Sequence, residues 1–580
     1  MRPGLGREAV VVLWAVALAL LILGPGLGPG YLLVRDMVWV PDLALRPDFL
    51  GLGSGLPRAV PSDAVVSVLD EVLPGMLLQK LVLVAALAGG GVGAARLLDR
   101  DGEPAGMVVR LTMVTVYGWN ALVAERLLMG AWPVLVGYAV LPWLLGAARR
   151  WRVEGRLPRS LLVLVPLGCL SASAGLATAV AVLAGAAGRG RSVRALLLVT
   201  AGNAPWLVAG VLHASSATSD AAGAEVFALH GEGSVPGPLA ALTLGGIWNT
   251  STQLDSRTGV LGWLALVTLV GLAAVGAPSW WRRTPPRDRT TLLFCWVVGW
   301  GLAVLTWLAP GIVGWAAENV PGAGVVRDGA RTLVLCAPLL VVLVGSGVRT
   351  LAQTVPAAAV GRVLLAAGAV LLPIALLPDL ALGVSHRIEP AHYPAAYGEA
   401  RELLEDLEGD VLVLPLSSYR APDWNHGNVV LDPVNRYLTN DTVASDVLVV
   451  DGVPLSGEDP RVEDAARALE LPTPQERAAA LGELGVGAVV VDPTAPGTAP
   501  EVAGDVLLDS ADLVVISLPA TTPRERPAGW VAAMSVAWGA FLGLLGWGLV
   551  SSLWRNRPGA PAVQAPGTGR DTPGTEVPGH

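Results

Sequence analysis

Four sets of polar residues in this sequence have the types and the spacing that chemistry at a membrane surface requires. Each set adjoins an apolar run long enough to cross a bilayer, so each lies near a predicted membrane boundary. Ionisable groups at that depth are costly unless they pair, line a cavity or bind a ligand. The sets are Arg35 and Asp36; Asn120, Glu125 and Arg126; His230, Glu232, Trp248 and Asn249; and Arg327, Asp328 and Arg331.

Asp36 has the residue type of a general base. Its carboxylate could accept the proton of a sugar hydroxyl or hold a divalent cation, and the adjacent Arg35 would favour the ionised form. The other acids of this loop, Asp42 and Asp48, follow at intervals of six residues. Because no tight D-x-D pair is present, the involvement of a divalent cation stays open. The alternative interpretation is a solvated pair of loop charges.

The third set combines groups that suit a sugar. Trp248 offers a face on which a sugar ring can stack, while His230, Glu232 and Asn249 offer directed hydrogen bonds. Anchoring of a tryptophan at the membrane interface explains much of the same pattern.

The second and fourth sets place charges beside predicted spans. Arg327 and Arg331 flank Asp328 and carry the forked donors that bind phosphate or pyrophosphate. Glu125 and Arg126, together with the nearby amide of Asn120, could pair or line a cavity. Snorkelling of the arginines to the interface is the alternative.

The composition predicts that membrane-spanning helices carry these residues. The 580 residues are 53% hydrophobic and 15% charged, whereas soluble proteins carry about 25% charged residues. A stretch of about 28 apolar residues between Arg159 and Arg189 is too long for one span and too short for two, and arginines flank both ends, which predicts a re-entrant hairpin. Ten full spans are predicted at 9–23, 73–97, 106–127, 131–148, 194–213, 259–279, 290–309, 331–349, 362–382 and 529–553.

Arginine-rich short loops predict the orientation of these spans. They all fall on one side if both termini are cytoplasmic, which leaves residues 383–528 outside. Lys80 is the only lysine among 39 basic residues, and the Ala, Gly, Val, Arg and Pro bias is typical of a high-GC bacterium. We therefore expect a multi-pass protein of a bacterial plasma membrane.

Residues 383–528 have the pattern of an extracytoplasmic α/β domain. Their 25 acidic against 9 basic residues argue against nucleic acid as a partner. The expected organisation is a membrane domain at 1–382, this domain, a last helix at 529–553 and a disordered cytoplasmic tail at 554–580. Strands are predicted at 411–416, 428–431, 447–450, 488–491 and 513–518, and helices at 395–407, 460–469 and 474–484.

This arrangement resembles the GT-C class of membrane glycosyltransferases, with Asp36 at the position where that class keeps its acid. The stretch from Trp119 to Gly130, followed by Leu141 to Trp143, is similar to that of large actinobacterial envelope transferases. The resemblance implies a mannose or arabinose donor linked to polyprenyl phosphate, an envelope glycan or glycolipid acceptor, and Asp36 as the catalytic base. It covers residues 1–382.

Two other functions stay open from the sequence. A flippase for lipid-linked sugars would need two matching halves with broken helices, whereas only one candidate broken segment, 160–187, is found. A non-catalytic scaffold would bind an envelope partner through the outer domain. The chain contains no P-loop, no H-E-x-x-H and no G-x-S-x-G motif, which argues against cytoplasmic nucleotide chemistry.

Overall fold

The protein is a polytopic helical membrane protein with a C-terminal α/β region. The computed structural model describes residues 3–555 except 57, 100–103, 216–217, 355–358, 451, 458 and 523. The predicted tail beyond residue 555 lies outside this part. Within it, nine helices are long and apolar enough to cross a membrane, and one further pair, Val360–Leu376 and Pro378–His386, is bent by 72°. The nine are Gly6–Leu27, Gly75–Ala94, Met107–Leu128, Trp132–Glu154, Arg191–Leu212, Val260–Arg283, Pro286–Leu308, Ala337–Thr354 and Ala528–Ser551.

The predicted re-entrant hairpin is confirmed. It consists of two short helices, Arg159–Gly168 and Ala172–Ala186. Arg159, where the hairpin begins, donates to the carbonyl of Ser551 at 2.6 Å. Arg152, at the end of the preceding span, donates to the carbonyl of Gly185 near the end of the hairpin at 2.8 Å. The hairpin therefore enters and leaves the bundle at the same end.

Two of the predicted spans are broken rather than continuous. Span 106–127 divides into Met107–Gly118 and Ala121–Leu128 because Asn120 has extended backbone and caps the second helix by accepting from Val123 N. Span 362–382 stops at Leu376, before the 72° bend. The Trp119 indole donates to the carbonyl of Leu377 at 2.9 Å, so the two breaks support each other.

The α/β region is built on a five-stranded sheet. Strand Asp410–Leu414 lies between two parallel neighbours, and the remaining pairings are antiparallel. The three predicted helices are found at Ala395–Leu404, Pro460–Leu469 and Pro474–Glu483. The strand order across the sheet is Asp505–Asp509, Val514–Ser517, Val486–Val491, Asp410–Leu414 and Thr442–Val443.

Two hairpins lie outside this sheet. One pairs Tyr419–Arg420 with Val430–Leu431, and the other pairs Leu448–Val450 with Val453–Leu455. The runs predicted at 428–431 and 447–450 therefore form strands, although in these hairpins instead of in the main sheet. The first of the two is called the Tyr419 hairpin below.

The loop at residues 28–74, between the first two membrane helices, packs against the α/β region. Its strand Tyr31–Leu32 pairs with Pro390–Ala391. Ion pairs add to the contact, with Arg436 donating to Asp63 at 2.7 Å. Leu32 and Val34 of the loop share one hydrophobic core with Val411, Val413 and Val430. The first loop and the α/β region therefore form one packed unit beside the membrane helices.

A left-handed turn connects the bent helix with this unit. Leu382 to His386 all have φ between 53° and 70°, a conformation that costs about 1–2 kcal/mol for each residue other than glycine. Burial of Val384 offsets part of that cost. The turn leads to Arg387, which donates to the backbone carbonyls of Ser251 and Gln253 and so ties the loop before span 260–283 to the same unit.

Candidate active site

Asp36 lies at the corner of a tight turn. Met37 N donates to Val34 O at 2.9 Å and Val34 N donates to Met37 O at 3.3 Å, so Arg35 and Asp36 occupy the two central positions. Arg35 has φ +47°, which residues with a side chain rarely adopt. Strain of this kind persists only where the surroundings hold it, and it collects at functional sites.

Two parts of the protein hold this turn. On one side, Arg35 N donates to Val429 O at 2.7 Å and Leu431 N donates to Arg35 O at 2.8 Å, so the turn extends the Tyr419 hairpin. On the other side, Asp36 N donates to Met129 O at 3.2 Å, beside the turn that ends helix Ala121–Leu128. The main chain of Asp36 is thus fixed between the membrane helices and the α/β region.

The Asp36 carboxylate has one oxygen engaged and one open. Tyr419 Oη donates to Asp36 Oδ1 at 2.6 Å. Burial, and then the neighbouring Asp36 carboxylate, raise the pKa of Tyr419 well above its usual range, so the phenol stays protonated and donates. Asp36 Oδ2 accepts no hydrogen bond from any residue that the structure describes. The adjacent Arg35 donates to Ser251 Oγ at 2.6 Å.

A network of three carboxylates and three arginines, buried except for Arg331, lies next to this turn. Glu232 forms an ion pair with Arg257, whose Nε donates to Glu232 Oε2 at 2.9 Å. Glu125 lies close to the Glu232 carboxyl group. Both glutamates and Arg257 are less than 5% exposed, although each lies near a membrane boundary.

Arg126 and Asp328 continue the network on its other side. Arg126 Nη1 lies 3.5 Å from Asp328 Oδ2, and Arg331 Nε donates to the same oxygen at 2.9 Å. Burial raises the pKa of Asp328, but the charges of Arg126 and Arg331 outweigh that effect, so the pKa lies below its usual range. Trp248 also lies beside Asp328.

Several polar atoms of this network lack partners although they are buried. Glu125 Oε1, Glu232 Oε1 and the Arg126 atoms Nε and Nη2 have no hydrogen-bond partner among the described residues. Buried polar groups in proteins are nearly always satisfied, so each such atom calls for a water or a ligand. The free carboxylate oxygens can accept hydrogen bonds from hydroxyl groups. The free guanidinium N–H groups can donate hydrogen bonds to phosphate oxygens.

Asn249 connects the turn of Asp36 with this network. Its Nδ2 lies 3.7 Å from the sulfur of Met129, whose carbonyl accepts the Asp36 N–H. Its Oδ1 accepts from Ser251 Oγ, the group that Arg35 contacts. Because Trp248 is the preceding residue, the loop that carries Asn249 spans the distance between Asp36 and the buried charges.

A mostly apolar cavity reaches the network from the membrane side. It lies between helix Val260–Arg283, helix Ala337–Thr354 and the two broken spans. Arg257 and Thr243 are its polar wall on the network side. The other lining residues are Val116, Trp119, Asn120, Ala121, Ala265, Leu269, Leu340, Pro373, Leu376 and Leu377.

Three residues that the sequence predicts for the site, Asn120, His230 and Arg327, contact groups outside the network of charges. The Asn120 amide donates to the carbonyls of Val116 and Tyr117 and to Tyr138 Oη, so it supports the helix break, although it also lines the cavity. His230 is exposed, and its Nδ1 lies 3.4 Å from Ala228 O. Arg327 lies over the Phe227 ring at 4.9 Å. These contacts lie outside the buried network.

Two residues of the site are absent from the sequence prediction. Arg257 immediately precedes a span, as Arg331 does, and that shared position is a signal that could have indicated it. Tyr419 carries no such signal, since it lies 383 positions from Asp36. Among the described residues, no three His, Cys, Asp or Glu side chains are grouped so that they could hold a metal ion.

The bundle of spans shares its fold with a solved arabinofuranosyltransferase. The structure of arabinofuranosyltransferase AftD from Mycobacteria aligns with a TM-score of 0.52 at 14% identity, covering 89% of this chain and 40% of that chain. The archaeal oligosaccharyltransferase AglB from Archaeoglobus fulgidus aligns with a TM-score of 0.33 at 11% identity, covering 84% of this chain and 69% of that chain. No family model and no curated protein matches the chain. The predicted resemblance is therefore confirmed at the level of the fold, and the chain spans less than half the length of AftD.

Proposed function

We propose that this protein transfers a pentose or hexose from a polyprenyl-phosphate donor to a glycan or glycolipid acceptor of the bacterial envelope. The observation that carries the proposal is the open oxygen of Asp36, held at a strained turn beside a buried network with unsatisfied polar atoms. A fixed base next to a sheltered polar pocket meets the main requirements of glycosyl transfer. The reaction takes place on the face that carries the α/β region, which is the extracytoplasmic face.

The chemistry needs only one carboxylate. Asp36 Oδ2 takes the proton of the acceptor hydroxyl, and the acceptor oxygen forms a bond to the anomeric carbon. The bond between that carbon and the phosphate oxygen breaks, and its electron pair stays on the polyprenyl phosphate. Because a phosphate leaves without protonation, no second carboxyl group has to act as an acid, unlike glycoside hydrolysis. The configuration at the anomeric carbon inverts.

The buried network supplies the binding site in this proposal. Arg126 directs its two free donors at phosphate oxygens. Glu125 and Glu232 accept hydrogen bonds from sugar hydroxyls, and Trp248 offers its ring as a stacking face. The small apolar cavity beside Arg257 would have to widen to admit an isoprenyl chain, with the donor phosphate on the Arg257 side.

Purified protein in lipid nanodiscs tests the proposal. Arabinosyl and mannosyl polyprenyl phosphates, labelled in the sugar, are incubated separately with envelope glycan fragments as acceptors. We expect release of polyprenyl phosphate that depends on the acceptor, together with labelled glycan. The Arg126→Gln variant should raise the donor KM. If neither donor is consumed, the alternative of a non-catalytic scaffold replaces the proposed enzyme.

A further inference from the structure

We propose that the α/β region completes the active site through Tyr419, a positioning residue that fixes the Asp36 carboxylate and leaves Oδ2 as the oxygen that acts as the base. The inference rests on the proposed function and deepens it. It gives a role to a region that the proposed chemistry does not otherwise use.

One hairpin holds both the main chain and the side chain of the catalytic turn. Its first strand carries Tyr419, whose hydroxyl reaches Asp36 Oδ1 at 2.6 Å. Its second strand brackets Arg35, since Val429 O accepts from Arg35 N and Leu431 N donates to Arg35 O. The carboxylate therefore cannot turn freely about its own bonds while the hairpin stays in place.

The hairpin is itself rigidly anchored, as a positioning element has to be. Arg420, next to Tyr419, is 2% exposed. It forms ion pairs with Asp432 at 2.9 Å and Asp492 at 3.4 Å, and it donates to the carbonyl of Ser417 at 2.6 Å. These contacts fix the strand on both sides of the tyrosine, so the hydroxyl has little freedom to leave Asp36.

The contact also decides which oxygen of the base is available. Tyr419 Oη occupies Asp36 Oδ1, so the acceptor hydroxyl meets Oδ2. Tyr419 keeps its own proton throughout the reaction. The proton taken from the acceptor resides on Asp36 Oδ2 and then passes to water.

The test compares Tyr419→Phe with the matched variant Tyr437→Phe. Tyr437 belongs to the aromatic cluster with Tyr393 and Tyr397, and no contact among the described residues joins it to Asp36. Using the arabinosyl or mannosyl polyprenyl phosphate, we expect Tyr419→Phe to lower kcat about 10- to 100-fold, which is the loss typical of a hydrogen bond to a charged group. The donor KM should stay within about 2-fold, because the phenol contacts the base and not the donor.

Three outcomes overturn the inference in different ways. If Tyr419→Phe keeps the wild-type kcat while Asp36→Asn is inactive, the inference fails and the proposed function stands. If Tyr437→Phe loses as much rate, packing of the aromatic cluster explains the loss and the inference fails. If the wild type consumes neither donor, the proposed function fails and this inference fails with it. The inference is supported only if Tyr419→Phe, in addition, causes no further loss of rate in the Asp36→Asn background.

Discussion

Gly130 lies so close to the backbone of Met37 that no side chain fits between them. A Cβ atom at Gly130 would collide with Met37 N and with Val34 O, the two atoms that close the turn of Asp36. Gly130 also has φ +70°, which favours glycine. The position of the Asp36 turn therefore depends on the absence of a side chain in a different loop.

We predict that Gly130→Ala lowers both stability and transfer. The positive φ alone costs about 1–2 kcal/mol, and displacement of the packed turn adds about 1–3 kcal/mol. A shift of about 1 Å at Asp36 is enough to reduce the rate about 100-fold. Thermal unfolding in detergent and the transfer assay measure the two effects.

Gly155→Ala is the matched control for this variant. Gly155 has φ +71°, yet a Cβ atom there meets nothing within 4 Å. The Gly155→Ala variant should therefore show the stability cost of a positive φ without any loss of transfer. Equal unfolding temperatures and equal rates for the two variants would show that Gly130 does not hold the turn.

The pair of Arg257 and Glu232 should matter for folding as well as for binding. Arg257→Met leaves the Glu232 charge buried beside Glu125, which should cost about 3–5 kcal/mol. Adding Glu232→Gln to the same chain should recover part of that loss. Arg467→Met removes an exposed pair with Asp464 and should cost less than about 1 kcal/mol. If Arg257→Met unfolds at the wild-type temperature, the ion pair is not structural.

Asp48 should make stability depend on pH. Burial, and then the nearby Asp441 carboxylate, raise its pKa from 3.8 to about 7. Because the folded chain holds this proton more tightly than the unfolded chain, the free energy of unfolding should fall as the pH rises from about 4 to about 7. Urea or thermal unfolding across this pH range measures the slope.

Asp48→Asn should flatten this slope, since the amide does not titrate. The exposed Asp42, which pairs with Arg401 at 2.6 Å, provides the control, and Asp42→Asn should keep the slope. A wild-type slope in Asp48→Asn would mean that other groups cause the pH dependence.

The sequence predicts those parts of the site whose signals are local. An acid after the first span indicated Asp36, and charges adjoining spans indicated Glu125, Arg126, Asp328 and Arg331, because membrane insertion makes such positions costly. The structure places Glu125, Arg126, Asp328 and Arg331 in one network beside the turn of Asp36.

The rest of the site and the breaks in two spans depend on contacts between distant parts of the chain. Asp36 and Tyr419 are 383 positions apart, and no pattern within either segment indicates that they meet. The breaks at Asn120 and Leu377 likewise follow from tertiary support, because the Trp119 indole satisfies the Leu377 carbonyl. Hydropathy alone predicts continuous spans at both places.

The transfer rate of Asp36→Asn, in membranes that contain matched amounts of each protein, tests directly whether Asp36 is the base. The amide keeps the shape of the side chain but cannot take a proton, so we expect a loss of about 10²–10⁴-fold with an unchanged unfolding temperature. Asp42→Asn, in the same loop, should transfer sugar at the wild-type rate. Full transfer by Asp36→Asn would contradict the assignment of Asp36 as the base.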